Sequence, residues 1–353
     1  MAAILLYSTA CLRLLLAHRR RWPLLFFLIC LFFFLSVSGY FEEFLSAILS
    51  VFYFTPSRVS SPRAQTVAIP PFLLSPASAC SSPPFLLILV TSAPSHRDRR
   101  DAIRQTWGSL SSATASASLT LFMLAVPKSP EERAALMHEA VTHRDIIQTN
   151  FTDSYRNLTL KTITGLTWAL DKCRGARYVL KTDDDVFVNT VFLTQFLRAE
   201  SGLQYMGRVH WRVSPYREPD HRHYISPELY AGNYFPPYCS GTGYILSHEA
   251  AGLIMEQLRS GPWPTVEDVY VGILARAAGI APRHVAKIAG SSSVPHNVCC
   301  YRTMFTSHGM TPKGMQEAWN MLKAAGDHWC PSGVLFYCKL FSQSVDDGGK
   351  GVH

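Results

Sequence analysis

The sequence predicts an α/β protein, a mostly parallel sheet flanked by helices, carried behind a single N-terminal transmembrane anchor. Three observations predict it. Apolar runs of strand length alternate with segments of helical period; three consecutive acids, Asp183, Asp184 and Asp185, close one of those runs; and residues 22–41 are apolar without a single charge.

The N-terminal elements are ordered by charge. In the tail, residues 1–21, Arg13, Arg19, Arg20 and Arg21 precede the first acid, Glu42, and supply half of the formal excess of +8. No long Lys/Arg run or nucleic-acid motif follows, so a nucleic-acid partner is excluded. The segment 22–41 has about the ~20 residues that a membrane-spanning helix needs. Basic residues before it and Glu42-Glu43 after it put the N-terminus in the cytoplasm and the body across the membrane. A cleaved signal peptide is the alternative, given the small residues Ser38-Gly39. The long basic leader and the apolar run continuing to Phe54 favour an uncleaved anchor. Residues 42–84 are expected to form a stem: from Thr55 to Pro84 there are seven prolines and seven serines, a composition that buries little apolar area.

The folded body is expected over 85–340, with 341–353 a flexible tail. Phe85-Leu-Leu-Ile-Leu-Val90 reads as a buried strand, the basic run from Arg97 to Arg104 as a helix start, and 119–126 as a second strand. A helix over 131–141 has acids at its N-terminus, 145–148 is a third short strand, and 158–173 is helical in period. It leads into Tyr178-Val-Leu and the acid triplet. Beyond Asn189 a helix is expected over 191–199, then an aromatic, His-rich and Pro-rich stretch over 205–238. That stretch reads either as an ordered surface loop or as a wall for sugar rings, with Trp211, Tyr224, Tyr234 and Tyr238 as stacking residues. Ser240-Gly-Thr-Gly243 allows a tight turn or a close backbone approach.

Two sequons, Asn150-Phe-Thr152 and Asn157-Leu-Thr159, suit a lumenal body. Of nine cysteines, Cys11 and Cys30 lie in or before the anchor. The other seven, an odd number, leave at least one without an intramolecular partner in an oxidising compartment. No Cys-x-x-Cys pair suggests zinc.

The chemistry is concentrated in acids. Three adjacent aspartates repel one another, and a divalent cation is the simplest partner. At the end of a strand they suit a hard ion, Mg²⁺ or Mn²⁺, that keeps positions open for phosphate oxygens. If the chain is extended there, Asp183 and Asp185 share one side and Asp184 takes the other. Glu267-Asp268 at a helix start is either a dipole-stabilised pair or the home of a general base. His308 offers an imidazole to the same chemistry or a merely structural one.

The stretches Arg97-Asp-Arg-Arg-Asp-Ala-Ile-Arg-Gln-Thr-Trp-Gly108, Asp145-Ile-Ile-Gln148, Phe151-Thr-Asp-Ser-Tyr-Arg-Asn-Leu-Thr-Leu-Lys-Thr162, the triplet, Tyr238-Cys-Ser-Gly-Thr-Gly-Tyr244 and Glu267-Asp-Val-Tyr-Val-Gly272 run in the order of a known family. On them the chain resembles the β-1,3-galactosyltransferase/β-1,3-N-acetylglucosaminyltransferase family of Golgi type II enzymes, over about residues 85–339, and is most similar to its galactosyltransferases. The resemblance implies an inverting GT-A glycosyltransferase fold, a Golgi membrane location and Mn²⁺ or Mg²⁺ as cofactor. It implies a UDP-sugar donor, a glycan acceptor on protein or lipid, and homo- or hetero-oligomers with other glycosyltransferases. It places Asp183, Asp185 and His308 at the metal, Asp184, Arg104 and Lys161 at the donor, and Asp268 as base. Trp211, Tyr238, Gly241 and Glu267 fall to the acceptor side, and Asn150 and Asn157 to glycans. Departures from the family are Phe122-Met-Leu-Ala125, where Phe-Leu-Leu-Gly is common, and Leu274, where a Cys is common. With the adjacent pair Cys299-Cys300, the latter implies one rewired disulfide. N-acetylglucosamine transfer, a non-catalytic lumenal binder or chaperone, and a metal-dependent hydrolase are the competing readings.

Overall fold

The computed structural model describes residues 23, 25–31, 40–56, 68–109, 118–260, 262–326, 329–331 and 333–344. Its centre is an eight-stranded sheet. In spatial order the strands are β1 (Phe72–Leu74), β4 (Ile146–Thr152), β3 (Ser118–Val126), β2 (Leu86–Thr91), β5 (Tyr178–Asp183), β8 (Tyr238–Ser247), β7 (Tyr205–His210) and β9 (Arg283–His284). β4, β3, β2 and β5 run parallel, β8 lies antiparallel between β5 and β7, and β1 is an antiparallel edge.

The helices, in chain order, are α1 (Tyr40–Tyr53), α2 (Arg97–Gln105), α3 (Pro130–His143), α4 (Leu158–Lys172), α5 (Thr190–Arg198), α6 (His248–Met255), α7 (Glu267–Ala277), α8 (Val298–Thr303), α9 (Pro312–Ala324) and α10 (Val334–Leu340). Strand alternation divides β2 between two apolar layers. Leu86, Ile88 and Val90 pack with side chains of α2, α5, α8, α9 and α10, whereas Leu87 and Leu89 pack with those of α4, α6 and α7. This is why Phe85-Leu-Leu-Ile-Leu-Val90 is apolar throughout rather than alternating. At the start of α3, Ser129 caps the backbone N–H of Glu132.

The strand order decides where a ligand can enter. The chain winds outward through β2, β3 and β4, then returns to place β5 on the other side of β2. At that reversal α2, which leaves β2, and α4, which brings the chain back to β5, lie on opposite faces of the sheet, and a crevice opens at the strands' carboxyl ends. Thr91 of β2 and Asp183 of β5 are paired neighbours there.

Several expectations are corrected. The 42–84 segment is not an extended stem throughout: α1 lies against the β9 edge, β1 joins the sheet, and Cys80 is bonded to Cys173. The reason for α1 is ionic. Glu42 receives Arg208, His284 and Lys339, and Glu43 accepts the backbone N–H of Ala286. Burial pushes the Glu42 pKa up, but bonds from His284 and Lys339 and the nearby cationic charge outweigh it and hold the carboxyl at about 2. Within 205–238, residues 205–210 are not loop but the strand β7, because β8 needs a partner on its outer side. The chain does not stay extended through the triplet; it turns at Asp184 and Asp185. The expected flexible tail begins as β12 (Gln343–Ser344), paired with β10 (Ser292–Ser293). The expected spanning segment 22–41 and the tail 1–21 lie largely outside the described residues. Of them 25–31 are helical and exposed, and among the described residues no helix is long and apolar enough to cross a membrane.

The cysteines resolve into Cys80–Cys173, Cys299–Cys330 and Cys300–Cys338, with Cys239 a buried free thiol whose pKa burial pushes up. The adjacent cysteines thus serve two different bridges. Leu274, where the family commonly has a Cys, lies in the same apolar layer as Cys239. The Cys80–Cys173 bridge ties the segment before β2 to the end of α4 across 93 residues. Replacing both cysteines with serine should cost about 2–4 kcal/mol, read as a lowered midpoint in denaturant unfolding of the oxidised protein.

Candidate active site

The crevice is a cavity of about 550 Å³. The ends of β2 and β5, the first half of β8 and the start of α7 line it, together with Tyr155, Arg222 and His223.

The three aspartates meet three different environments. Asp184 turns under the β2 loop and is buried. It accepts from Ser92 Oγ at 2.7 Å, meets His96 Nδ1 at 2.9 Å, and accepts from Arg99 Nη1 at 2.9 Å. Burial raises its pKa, but these partners hold the carboxyl below the usual range. Asp183 accepts from Lys181 Nζ at 2.8 Å. These two residues are two apart on a strand and so share a face. Lys181, itself buried, also donates to the Gly241 carbonyl at 2.6 Å and lies 3.4 Å from Glu267. Burial opposes its charge, yet Asp183 and Glu267 outweigh burial and hold its pKa above the ordinary lysine value. Among the described residues, Asp185 is met by Arg99 at 3.4 Å and His308 Nε2 at 3.5 Å, both beyond hydrogen-bond distance of the kind Asp184 enjoys. Burial, together with the charges of Asp183 and Asp184, pushes its pKa up against His308 and Arg99. It is the member of the triplet still short of positive charge.

His308 reaches Asp185 through a small second ladder. β6 (Phe187–Val188) pairs with β11 (Thr306–Ser307), so the residue after β11 returns to the turn before β6. No local pattern in the sequence announces that pairing.

On the opposite wall, α7 begins with Glu267 and Asp268. Asp268 is half-buried; its Oδ2 accepts from the Gly241 N–H and its Oδ1 from the Val269 N–H, both at 2.8 Å. Burial raises its pKa more than these bonds lower it. Glu267 lies deeper, accepting from Tyr244 Oη at 2.5 Å, and burial raises its pKa as well. Lys161 stands in the cleft wall, donating to Asp153 at 2.8 Å and to the Ser92 carbonyl at 2.8 Å, with burial lowering its pKa.

Two expected site residues are elsewhere. Arg104 bonds Asp145 at 2.8 and 2.9 Å and Glu139 at 2.7 Å. With Arg100, one helical turn earlier, it faces inward to Glu139. Arg100 in turn fixes the β2 loop through Ser92, Ala93 and Pro94. Arg104 is therefore a buttress of the loop; Arg99, on a different side of α2, is the arginine that reaches the acids. Trp211 is half-buried against the layer of α4, α6 and α7 and does not line the cavity. Of the aromatic candidates only Tyr238 lines it; Tyr234 lies outside under Arg212, and Tyr224 bridges Tyr216. Ser92, His96, Arg99, Lys181, Tyr155, His210 and His223 were not singled out by sequence. Only Lys181 carried a signal, a basic residue two before an acid inside an apolar strand.

With this geometry in view, the comparisons are specific. A galactosyltransferase family model matches residues 98–286. A β-1,3-galactosyltransferase 4 of Mus musculus is 43% identical over 319 residues, covering 81% of this chain and 85% of that one. The chain belongs to the β-1,3-galactosyltransferase family. A β-1,3-galactosyltransferase 4 of Homo sapiens is 39% identical over 345 residues, covering 86% and 89%. Among solved structures, a mannosyltransferase of Pyrobaculum calidifontis, in complex with GDP-Man and Mn²⁺, aligns over 86% of this chain and 89% of that chain at 13% identity, with a TM-score of 0.32. That likeness is too remote to argue from. As a family member the chain is a glycosyltransferase.

In this galactosyltransferase the glycines around Asp268 have packing roles. A Cβ on Gly241 would stand 3.2 Å from Asp268 Oδ2 and 3.3 Å from Glu267 Oε2. A Cβ on Gly272 would stand 2.4 Å from the Tyr238 Cβ and 3.2 Å from its Cα, so α7 can lie this close to β8 only without a side chain there. Gly272→Ala should push α7 outward, at about 1–3 kcal/mol in stability. Because the end of α7 that bears Asp268 moves with it, transfer activity should fall further than the stability loss explains, measured as kcat at a temperature where the variant is fully folded.

Proposed function

We propose that this protein is an inverting β-1,3-galactosyltransferase of GT-A type that moves galactose from UDP-galactose to the 3-hydroxyl of an acceptor sugar on a glycoprotein or glycolipid. We further propose that it is a single-pass type II protein of the Golgi membrane with its catalytic body lumenal, and that it can form homo- or hetero-oligomers with other glycosyltransferases. One observation carries the chemical reading. A single cavity has an electron-rich, cation-seeking side at Asp185 and, on its other wall, a separate carboxylate whose two oxygens are oriented by backbone N–H groups. Galactose as the transferred sugar is carried from the names of the relatives.

The residues present suit a divalent ion shared with phosphate. Among the described residues no group of three or more acidic, His or Cys side chains is close enough to hold one unaided. Asp184 is saturated and Asp183 is committed to Lys181, which leaves Asp185 and His308, an oxygen and an imidazole nitrogen. That donor pair suits Mn²⁺, with Mg²⁺ the alternative, completed by water and diphosphate oxygens. When bound there, the ion would supply positive charge beside the departing UDP.

The chain's own residues account for the rest. Lys161, at the cavity wall, offers charge to the donor phosphates. Asp184 anchors the β2 loop so that Ser92 and Ala93 keep their place under the nucleotide. Asp268 takes the proton of the attacking hydroxyl. Attack from its side of the sugar turns an α-linked donor into a β-linked product. Tyr238, with His210 tilted against it at 5.1 Å, gives the acceptor an aromatic surface.

Asp268→Asn should leave UDP binding intact and lower kcat about 10²–10⁴-fold; unchanged turnover would remove the base assignment. Asp268 acts as the carboxylate, and its pKa is raised, so activity should fall as pH drops through a value above the ordinary aspartate range. The pH profile of kcat/KM reads that limb directly. The donor is tested by offering UDP-galactose and UDP-N-acetylglucosamine to the purified chain with Mn²⁺ and after chelation. Galactose transfer that needs the ion is expected, and equal rates with chelator would overturn the metal reading.

The two sequons differ in the folded chain. Asn150 is exposed, whereas Asn157 is half-buried with its amide donating to the Thr152 carbonyl at 2.9 Å, and the Thr159 hydroxyl donates to the Pro264 carbonyl at 2.6 Å. We therefore assign the fully occupied glycan to Asn150. Peptide mass mapping should find Asn150 modified in nearly every chain and Asn157 in a minority.

A further inference from the structure

α1 is amphipathic in the sense opposite to a helix that lies on a protein in water. It meets the domain through Glu42, Glu43 and Ser46, which share one side of the helix. Its outer side presents Phe44, Leu45, Ile48, Val51 and Phe52, with Val51 81% and Phe52 73% exposed. A helix whose outer side faced water would have the two sides exchanged. The same pattern recurs beside it. Lys339 of α10 reaches Glu42 from 297 residues away in the chain, and Phe336, Leu340 and Phe341, within a turn of Lys339, are exposed. Two remote segments thus bring uncovered apolar side chains to either side of one ion pair.

We propose that the outer side of α1, together with the exposed side of α10, is a lipid-interface platform that seats the catalytic domain directly on the bilayer surface. The inference rests on reading 22–41 as membrane-spanning, and that reading is what selects lipid as the occupant. The apolar segment ends where α1 begins, with Tyr40 and Phe41 common to both, so no linker lets the domain move away from the headgroups. α1 is a helix of 14 residues, about 21 Å at 1.5 Å per residue, pinned along its inner side to the domain. It can lie near the membrane only with its apolar outer side toward the lipid. Phe, Leu, Ile and Val along the outer side, with Tyr40 and Tyr53 at the ends, supply the apolar and aromatic face of an interfacial helix, while the acidic side, where a free interfacial helix is basic, is turned to the domain's cations.

The test uses the full chain reconstituted in phosphatidylcholine vesicles, with photoreactive p-benzoylphenylalanine replacing Phe27, Ile48, Leu340 or Val141 in turn. Val141 is the control: it is an exposed apolar residue on α3, the helix that leads into β4 near one edge of the sheet, whereas α1 lies at β9 on the other edge. After irradiation, lipid adducts at Ile48 and Leu340 should exceed those at Val141 several-fold by mass spectrometry. Adducts at the level of Val141, or chain-to-chain cross-links in their place, would overturn the platform. Labelling at Phe27 without Ile48 and Leu340 overturns the platform and leaves the anchor standing. Labelling at Ile48 and Leu340 without Phe27 supports the platform and sinks the anchor.

Discussion

Charge balance at the carboxyl end of β5 is the constraint around which this structure is arranged. Asp183, Asp184, Asp185, Glu267 and Asp268 converge on one partly buried crevice. Ionised carboxylates removed from water cost several kcal/mol each unless matched by cations or hydrogen-bond donors. Lys181 serves Asp183 and Glu267; Arg99 and His96, with Ser92, serve Asp184; backbone N–H groups serve Asp268. What is left is uneven, with Asp185 short of positive charge and Asp268 raised in pKa by burial. Those are the two places that the proposed mechanism uses, Asp185 for the cation and Asp268 for the proton.

Keeping that arrangement open takes rigid support, because a carboxylate cluster with slack around it would relax toward water. Arg100 is buried against Glu139, with bonds of 2.7 Å from both Nε and Nη2, and fixes the loop that bears Ser92. On the other wall, Gly272 lets α7 lie against β8, which holds the Asp268 carboxylate at the Gly241 N–H. Cys299–Cys330 and Cys300–Cys338 brace α8, which directly precedes β11 and His308, and tie it to α10 beyond α9. The basic run of α2 thus divides by helix geometry: Arg100 and Arg104 support, and Arg99 contacts.

The segment before the catalytic body belongs to it. A Pro/Ser-rich composition describes residues 55–84 as a whole, yet β1 and Cys80 lie within it. Glu42 and Glu43, which in sequence merely follow an apolar run, find Arg208, His284, Lys339 and the Ala286 N–H waiting on the domain. Composition averages over such a segment, and single ionic contacts then decide where it sits.

Periodicity along the chain was enough to place β2, β3, β5 and most helices, since each buries a face that its own residues encode. The family motifs were enough to name the enzyme class and to single out Asp183, Asp184, Asp185, Lys161, Glu267 and Asp268, which the fold gathers around one cavity. Nothing local could say which aspartate would be neutralised, because that depends on Lys181 pointing back along its strand and on Arg99 and His96 arriving from another helix. Nor could it separate Arg99 from Arg104, since the five-residue step between them, about 140° around the helix, decides which faces the core. His308 reaches Asp185 only through the β6–β11 ladder, and Trp211 leaves the site for the core because β7 sets the direction of the chain entering it. Residue chemistry is written in the sequence, but which charges meet is a property of long-range pairing, and that pairing exists only once the sheet has closed around the crevice.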